Sequence, residues 1–314
     1  MLNIFGAFPA RIGLVTAAVL ALSACGDGSG SAGGGSGMLT LRITDAPVDS
    51  ATVEHVYVQF SGVELQREGG RLNFYFCADP ADPNNTVVST TPCTTPKARQ
   101  LDLLALNSGV SATLLDGVTL PAGQYNWIRL DVNTGLGNES NIVVSGTPHA
   151  LTIPSGDETG LKLNRGFTVA TGGHVDFTVD FDLRKSVHMT GGGQYLLRPT
   201  LRIVDNLLVG RISGTVASAL ITTGCTPAVY VYQGANVVPD DIGGSGVEPV
   251  TTAMVGLDNS VYRYTAAFLE AGEYTVAFTC QAAADDPAVD NAIGFTGAAN
   301  VTVAANATTT HNFQ

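Results

Sequence analysis

An acidic strand in the middle of the chain decides the class of fold. Residues 175–183 read VDFTVDFDL, with an apolar side chain at each odd position and a polar one at each even position. A period of two is that of a β-strand with one face in a core and the other toward water. Strands of this kind are typical of antiparallel sheets that pack in pairs. The stretch therefore predicts a β-sandwich.

The same alternation recurs on both sides of this strand. It is found at 39–44, 56–60 and 128–133. A boundary falls near 206–210, after which a second series of short strands begins. We therefore expect an all-β protein of two antiparallel β-sandwich domains, 38–207 and 208–314, the second of immunoglobulin-like or transthyretin-like size. One short helix is expected near Leu101 to Leu106.

The amino-terminal residues predict export and lipid anchoring. The apolar run at 12–22 is too short to cross a hydrocarbon core about 30 Å thick, and it ends in LSAC. Small residues before a cysteine match a lipobox, so we expect a lipoprotein signal peptide over 1–24, a lipidated Cys25 and a flexible linker over 25–37. The alternative is an ordinary secretory peptide that leaves Cys25 as a free thiol.

The expected anchor indicates where the protein acts. Gly26 rather than aspartate follows the cysteine, which favours the outer membrane if the host is Gram-negative. The formal net charge is −12 and only 13% of the residues are charged, whereas nucleic-acid binding needs clustered Lys and Arg. The expected partners are the membrane, through the lipid, and a polysaccharide or envelope protein, but not nucleic acid.

Four further cysteines predict two disulfide bonds. Cys77 and Cys93 bracket a loop rich in Pro and Asn, while Cys225 and Cys280 lie in the last third of the chain. Outside the cytoplasm we expect each of these two pairs to be oxidised. Four cysteines allow three connectivities. A four-cysteine metal site is the alternative, although the chain lacks the Cys-x-x-Cys spacing typical of one.

The polar face of the acidic strand is the first candidate site. Asp176, Asp180 and Asp182 share that face, and their mutual repulsion requires a partner. Arg198 and Arg202, which have the same parity on the following strand, predict a cross-strand charge ladder. The alternative is a Ca²⁺ site, because this cation prefers carboxylate oxygens. No other cofactor is expected.

Two further candidate sites carry mixed chemistry. Asp45 and Asp49 flank an Ala-Pro turn, where they either bond the turn amides or form a binding loop. Trp127 has the same parity as Arg129 and Asp131, which predicts an outward aromatic ring beside charged groups. Such a ring either stacks on a sugar as part of a carbohydrate-binding face or lies under a loop.

A repeated motif predicts a structural device in both domains. LPAGQY at 120–125 and LEAGEY at 269–274 share the pattern Leu-x-Ala-Gly-x-Tyr, and each leads into an alternating strand. We expect the glycine to make a tight turn and the tyrosine hydroxyl to bond back to the backbone at a sheet corner.

Three ordered motifs resemble a bacterial lipoprotein family that contains a domain of unknown function. They are LTLRITDAPVD at 39–49, GQY at 123–125 with IRL at 128–130, and FDLRKS at 181–186 with LRP at 197–199. The resemblance implies an exported, lipid-anchored β domain and brings no catalytic residue. The last third is similar to carboxypeptidase-regulatory or starch-binding-like sandwiches, through ISGTV at 212–216 and LEAGEYTV at 269–276, which implies a spacer or binding module.

These observations predict a non-catalytic binding or structural module at the cell envelope. The chain has no Gly-x-Ser-x-Gly, His-Glu-x-x-His or Walker motif, so no catalytic residue is assigned. A hydrolase with a dispersed acidic site is the alternative. It would need a cleft that joins Asp180 and Asp182 to Asp131 or Asp45.

Overall fold

The computed structural model describes residues 35–46, 53–134, 140–154, 156–244 and 246–314. In these ranges the strands form four sheets, of four, eleven, four and four strands. The strands up to Asp205 are β1 (Ser36–Ala46), β2 (Val53–Arg67), β3 (Gly70–Ala78), β4 (Thr86–Ser89), β5 (Arg99–Asp102), β6 (Ala112–Pro121), β7 (Gly123–Asn133), β8 (Asn141–Val144), β9 (Thr147–Thr152), β10 (Leu161–Leu163), β11 (Phe167–Val169), β12 (His174–Asp182), β13 (Val187–Met189), β14 (Tyr195–Leu197) and β15 (Thr200–Asp205). Those that follow are β16 (Val209–Val216), β17 (Ala228–Gln233), β18 (Thr251–Met254), β19 (Gly256–Asp258), β20 (Val261–Glu270), β21 (Gly272–Thr279), β22 (Thr296–Val303) and β23 (Thr308–Thr310).

The amino-terminal sandwich packs a small sheet, in the order β15-β12-β1-β6, against the eleven-stranded sheet, in which β7 and β8 both pair with the long strand β2. Apolar side chains of β1 and β12 meet those of β2 and β7 in one core. Phe60 and Phe181 contact each other edge to face across it, with 6.3 Å between ring centres. The alternation of β12 therefore places its apolar positions in a sandwich core, as predicted.

The carboxy-terminal sandwich packs the sheet β19-β20-β16-β23 against the sheet β18-β17-β21-β22. Its core contains Val229, Val231, Tyr264, Val276 and Phe313. The two sandwiches belong to one compact unit. The predicted all-β class is confirmed.

Three strand pairs depart from the antiparallel arrangement that the sequence predicts. β1 pairs with β12, β9 with β14, and β16 with β23, all in parallel. Parallel neighbours need a crossover connection rather than a tight turn, and more than a hundred residues separate β1 from β12. Local periodicity identifies a strand but not the direction of its neighbour.

The middle of the polar face of β12 is buried rather than wet, which corrects the prediction. Thr178 is fully buried and Asp180 is 8% exposed. Thr251 and Thr252, from the carboxy-terminal sandwich, line a small void together with Asp180. The second sandwich thus covers the middle of the face that alternation assigns to solvent.

The helical segments are single turns. A 3-10 helix spans Leu103–Leu106, within the predicted helical segment, and α1 and α2 span Gly156–Thr159 and Leu183–Ser186. The expected strand at 175–183 ends at Asp182, because this carboxylate accepts a hydrogen bond from the backbone N–H of Lys185 and caps α2.

Covalent and hydrogen-bonded links at the sheet edges follow the sequence predictions. Disulfide bonds join Cys77 to Cys93 and Cys225 to Cys280. The Tyr125 hydroxyl donates to the Pro121 carbonyl at 2.8 Å, and the Tyr274 hydroxyl donates to the Glu270 carbonyl at the same distance. The corner predicted from the repeated motif is therefore present in both sandwiches.

Some sequence predictions fall on residues that the structure does not describe. These are the signal peptide at 1–24, Cys25, all but the last three residues of the 25–37 linker, and Asp49.

Candidate functional site

A buried arginine joins the two sandwiches. Arg184, in α2, places its guanidinium beside the carboxylate of Asp285 in the carboxy-terminal sandwich, at 3.3 Å. It donates to the Tyr230 hydroxyl at 2.9 Å and to the backbone carbonyls of Ala282 and Asp285. The side chains of Arg184 and Asp285 are 3% and 0% exposed. We call these contacts the Arg184 latch.

The latch satisfies the polar groups that it buries. The Tyr230 hydroxyl donates to Asp285, whose carboxylate also accepts from the backbone N–H of Ile242. Burial raises the pKa of Tyr230, so its hydroxyl stays protonated and can act as that donor. Near the latch, Lys185 pairs with Glu248 at 2.5 Å. The FDLRKS motif thus contributes the amino-terminal half of an interdomain contact.

The three carboxylates of β12 each have a cationic partner. Arg202 Nη2 lies 2.5 Å from Asp180 Oδ2, and the two residues are opposite each other in the register of β12 and β15. Asp176 pairs with Arg42 at 3.4 Å, and Asp182 pairs with Lys185 at 4.0 Å.

The charge ladder therefore forms around Arg202 but not Arg198. Arg198 is exposed and precedes β15, and Thr200 lies opposite Asp182. The carboxylates of Asp176 and Asp182 are paired instead with cations from other strands and turns. In the part of the chain that the structure describes, no three His, Cys, Asp or Glu side chains are grouped so that they could hold a metal ion.

Asp45 lies in the same buried region as Asp180. Its Oδ1 accepts a hydrogen bond from the Leu183 backbone N–H at 3.3 Å, while Oδ2 is buried without a partner among the described residues. Burial raises the pKa of Asp45 well above its ordinary value, and the nearby Asp180 raises it further. Burial also raises the pKa of Asp180, whereas Arg202 opposes that shift.

The space beside these two carboxylates is too small for a substrate. The void that Asp45 and Asp180 line has a volume of about 10 Å³, close to the minimum that a single water molecule requires. Asp131 lies on β7, in the other sheet of the sandwich. Asp180 and Asp182 also line a cleft of about 180 Å³, but neither Asp45 nor Asp131 lines it.

The outer face of the larger sheet brings a tryptophan together with three cations. The Trp127 ring is partly exposed, and its centre lies 4.8 Å from Lys162 Nζ, 5.0 Å from the Arg129 guanidinium carbon and 5.6 Å from that of Arg71. Lys162, Arg129 and Arg71 belong to β10, β7 and β3, respectively. Lys162 lies opposite Arg129 in the pairing of β10 with β7. Gln66 of β2 lies opposite both Arg71 and Trp127, so it connects β3 to β7 at this point.

Glu64 fixes two of these cations. Its carboxylate oxygens lie 2.7 Å from Arg129 Nη1 and 3.0 Å from Arg71 Nη1, and its side chain is 8% exposed. The Arg129 Nε is buried without a hydrogen-bond partner in the described ranges. We call Trp127, Glu64, Arg71, Arg129, Lys162 and Asp131 the Trp127 face.

Asp131, partly exposed like Trp127 and Arg129, completes this face on β7. Burial raises the pKa of Asp131, Glu64 raises it further and Arg129 lowers it. Among the six residues, three cations face two carboxylates, of which Asp131 has the raised pKa. The face is therefore locally positive in a chain whose formal net charge is −12.

The sequence identified part of this site and missed the rest. Parity along β7 placed Trp127, Arg129 and Asp131 on one polar face, and the structure confirms that placement. Glu64, Arg71 and Lys162 were not singled out, since only the pairing of β2, β3 and β10 brings them to the ring.

No helix within the described ranges is both long enough and apolar enough to span a membrane.

The solved structures that match the chain are distant. The match to the Bacillus anthracis TIE protein covers 88% of this chain and 34% of that protein, at 12% identity and a TM-score of 0.21. The chain thus spans about a third of the length of that protein. GBS52, the minor pilin of Streptococcus agalactiae, matches over 87% of this chain and 94% of its own at 9% identity and a TM-score of 0.19. The match to the major pilin subunit of Bacillus cereus covers 89% of this chain and 99% of the pilin chain, at 11% identity and a TM-score of 0.21. At these identities and TM-scores, the roles of those proteins carry no argument about this chain.

No curated protein matches the chain. Residues 36–199 match the family described as a domain of unknown function, DUF4382. This segment contains β1 to β14, the Trp127 face and the arginine of the latch. Since it makes up more than half of the 314 residues, the chain belongs to the DUF4382 family.

Proposed function

We propose that the protein is an exported, lipid-anchored module that binds a polysaccharide at the cell envelope without catalysis, through the Trp127 face. The observation that carries the proposal is the partly exposed indole ring, held by three cations on the outer face of a broad sheet. An indole ring offers a flat apolar surface on which a sugar can stack. The surrounding guanidinium and ammonium groups can donate hydrogen bonds to hydroxyl groups of the sugar.

The register of the sheet extends this surface beyond one ring. Tyr75 is opposite Gly62, which in turn is opposite Asp131, so Tyr75 lies two strands and four residues from Trp127. At a rise of about 3.3 Å per residue and a strand spacing of about 4.8 Å, the two aromatic positions are roughly 16 Å apart. Tyr75 is partly exposed. An extended polymer fits such a surface better than a single sugar does.

Export and anchoring are proposed from the amino-terminal pattern and the cysteines. The lipobox at 22–25 supports lipid attachment at Cys25, and both disulfide bonds suit an oxidising compartment. If the host is Gram-negative, Gly26 after the cysteine favours delivery of the anchored protein to the outer membrane. The carboxy-terminal sandwich, which resembles carboxypeptidase-regulatory modules in sequence, serves in this proposal as a rigidly attached support.

The alternative of an acidic hydrolase is less well supported. Asp45 and Asp180 share only the small void described above, and Asp180 is already paired with Arg202. A hydrolytic site requires room for the substrate and for an attacking water between its carboxyl groups. Asp45 and Asp180 are instead bonded to Leu183 and Arg202 of their own sandwich.

Binding of polysaccharides to the purified full chain tests the proposal. Calorimetric titrations with two neutral polymers, dextran and a mixed β-glucan, should detect at least one ligand. Trp127→Ala should weaken that binding about two- to tenfold, because an aromatic stacking contact contributes roughly 0.5–1.5 kcal/mol beyond buried area. Tyr262→Ala, which removes a partly buried aromatic side chain from the carboxy-terminal sandwich, is the matched control.

Equal thermal midpoints for the two variants would exclude unfolding as the cause of lost affinity. If neither neutral polymer binds, or if Trp127→Ala binds as tightly as the native chain, the Trp127 face is not the binding surface.

A further inference from the structure

We propose that a cleft between the two sandwiches is a second binding site, one that takes a sugar bearing a carboxylate. The cleft has a volume of about 340 Å³ and is lined by residues from both sandwiches. It lies at the small sheet rather than on the Trp127 face, so this inference stands independently of the polysaccharide surface proposed above. Clefts of this size at domain junctions are common positions for small-ligand sites.

The cleft contains one cation that no other described group neutralises. Arg42 pairs with Asp176 at 3.4 Å, and the Asn206 side-chain amide also donates to Asp176, at 2.7 Å. Arg211, on β16, is exposed, and its guanidinium has no hydrogen bond or ion pair within the described residues. Two arginines therefore face one carboxylate that is already paired. The net local charge is positive, which favours an anion.

Neutral hydrogen-bonding groups of the cleft are also available to a ligand. The side-chain hydroxyls of Ser111 and Thr308 line the cleft and make no hydrogen bond to the described part of the chain. A hydroxyl can both donate and accept. Sugar hydroxyls require partners of this kind, whereas a simple inorganic anion requires donors only.

Phe268 supplies an aromatic surface to the same cleft. Its φ of 57° is in the left-handed region that non-glycine residues rarely adopt. The residue lies at an irregularity in the pairing of β16 and β20, where the register shifts between Gly210 and Ile212. Its partly buried side chain lines the cleft. Backbone strain of this kind persists where the surrounding structure enforces it, and it is concentrated at binding sites.

These features together select the ligand class. A free guanidinium can bind a carboxylate through two parallel hydrogen bonds. The two hydroxyls suit sugar hydroxyls, and the phenyl ring suits the apolar face of a pyranose. We therefore infer that a uronic acid unit is the occupant, with its carboxylate on Arg211 and its ring against Phe268.

Calorimetric titration of the full chain with trigalacturonate, trimannuronate and the methyl ester of trigalacturonate tests this site. At least one of the two uronates should bind. The methyl ester should bind at least about tenfold more weakly than trigalacturonate, because it lacks the charged carboxylates. Arg211→Gln should lower the affinity for the uronate by a similar factor. Arg198→Gln is the matched control, since Arg198 is exposed and lies outside the cleft.

Two further variants distinguish uronate binding in the cleft from simple charge attraction and from binding at the Trp127 face. Phe268→Leu keeps an apolar side chain and should still weaken binding, at an unchanged thermal midpoint. Trp127→Ala should leave uronate binding unchanged. The inference is overturned if neither uronate binds, if Arg211→Gln binds as tightly as the native chain, or if Trp127→Ala abolishes the binding.

Discussion

Replacement of Arg184 by methionine should strongly destabilise the folded protein. Methionine keeps much of the apolar length of the side chain but removes its hydrogen bonds and its ion pair with Asp285. The Asp285 carboxylate, which is 0% exposed, then remains buried without its cation. Removal of one partner from a buried ion pair costs about 3–5 kcal/mol. For a chain of this size, that loss corresponds to a fall in the thermal midpoint of roughly 6–10 °C.

The cause of this loss can be isolated with a second substitution. Asp285→Asn in the Arg184→Met background removes the uncompensated charge, so the double variant should be more stable than Arg184→Met alone. Urea titrations followed by circular dichroism would measure each free energy of unfolding. Arg198→Met, at an exposed arginine of the same sandwich, should change it by no more than about 0.5 kcal/mol. A loss under about 1 kcal/mol for Arg184→Met, or strictly additive single losses, would refute the latch.

Three further predictions concern stability. Cys225→Ser with Cys280→Ser opens a loop with a sequence separation of 55 and should cost about 4 kcal/mol in a urea titration, more than loss of the shorter disulfide. Tyr274→Phe removes the corner hydrogen bond to Glu270 and should cost about 1 kcal/mol, with an unchanged fold by circular dichroism. Because the folded pKa of Asp45 is raised, its folded carboxyl keeps a proton that the unfolded chain releases, so stability should fall as pH rises from about 4 through the folded pKa. Asp45→Asn should make this fall shallower, since other carboxyls with a raised pKa still contribute to it. Thermal midpoints measured against pH would fall with the same slope in the two proteins if the assignment is wrong.

Local sequence patterns predicted the strands, side-chain faces and hydrogen bonds that are determined by residues close together in the chain. Alternation identified β12 and the face of β7 that carries Trp127, and the repeated motif identified the hydrogen bonds of Tyr125 and Tyr274. Each of these features follows from side-chain parity or from a turn of a few residues. The spacing of the cysteines also led to the observed disulfide pairs.

Contacts between distant segments could not be predicted in the same way. The polar side of β12 looks like a solvent face in the sequence, yet the second sandwich buries Asp180. Arg184 lies just beyond the end of β12, but its partner Asp285 is 101 residues away along the sequence. Similarly, Lys162 and Arg71 reach Trp127 only because β10 and β3 pair with β7 and β2 in the observed register. Such contacts depend on strand order, which periodicity does not encode.

Tryptophan fluorescence offers the most direct test of the proposed binding surface, because Trp127 is the single tryptophan of the chain. A neutral polysaccharide that binds by calorimetry would be titrated into the native chain and into Arg211→Gln while the indole emission is recorded. We predict a saturable change in indole emission in both proteins. Its midpoint should occur at the same polymer concentration as the midpoint of the calorimetric titration. A polymer that binds by calorimetry and leaves the indole emission unchanged would contradict the account, since binding would then occur away from the Trp127 face.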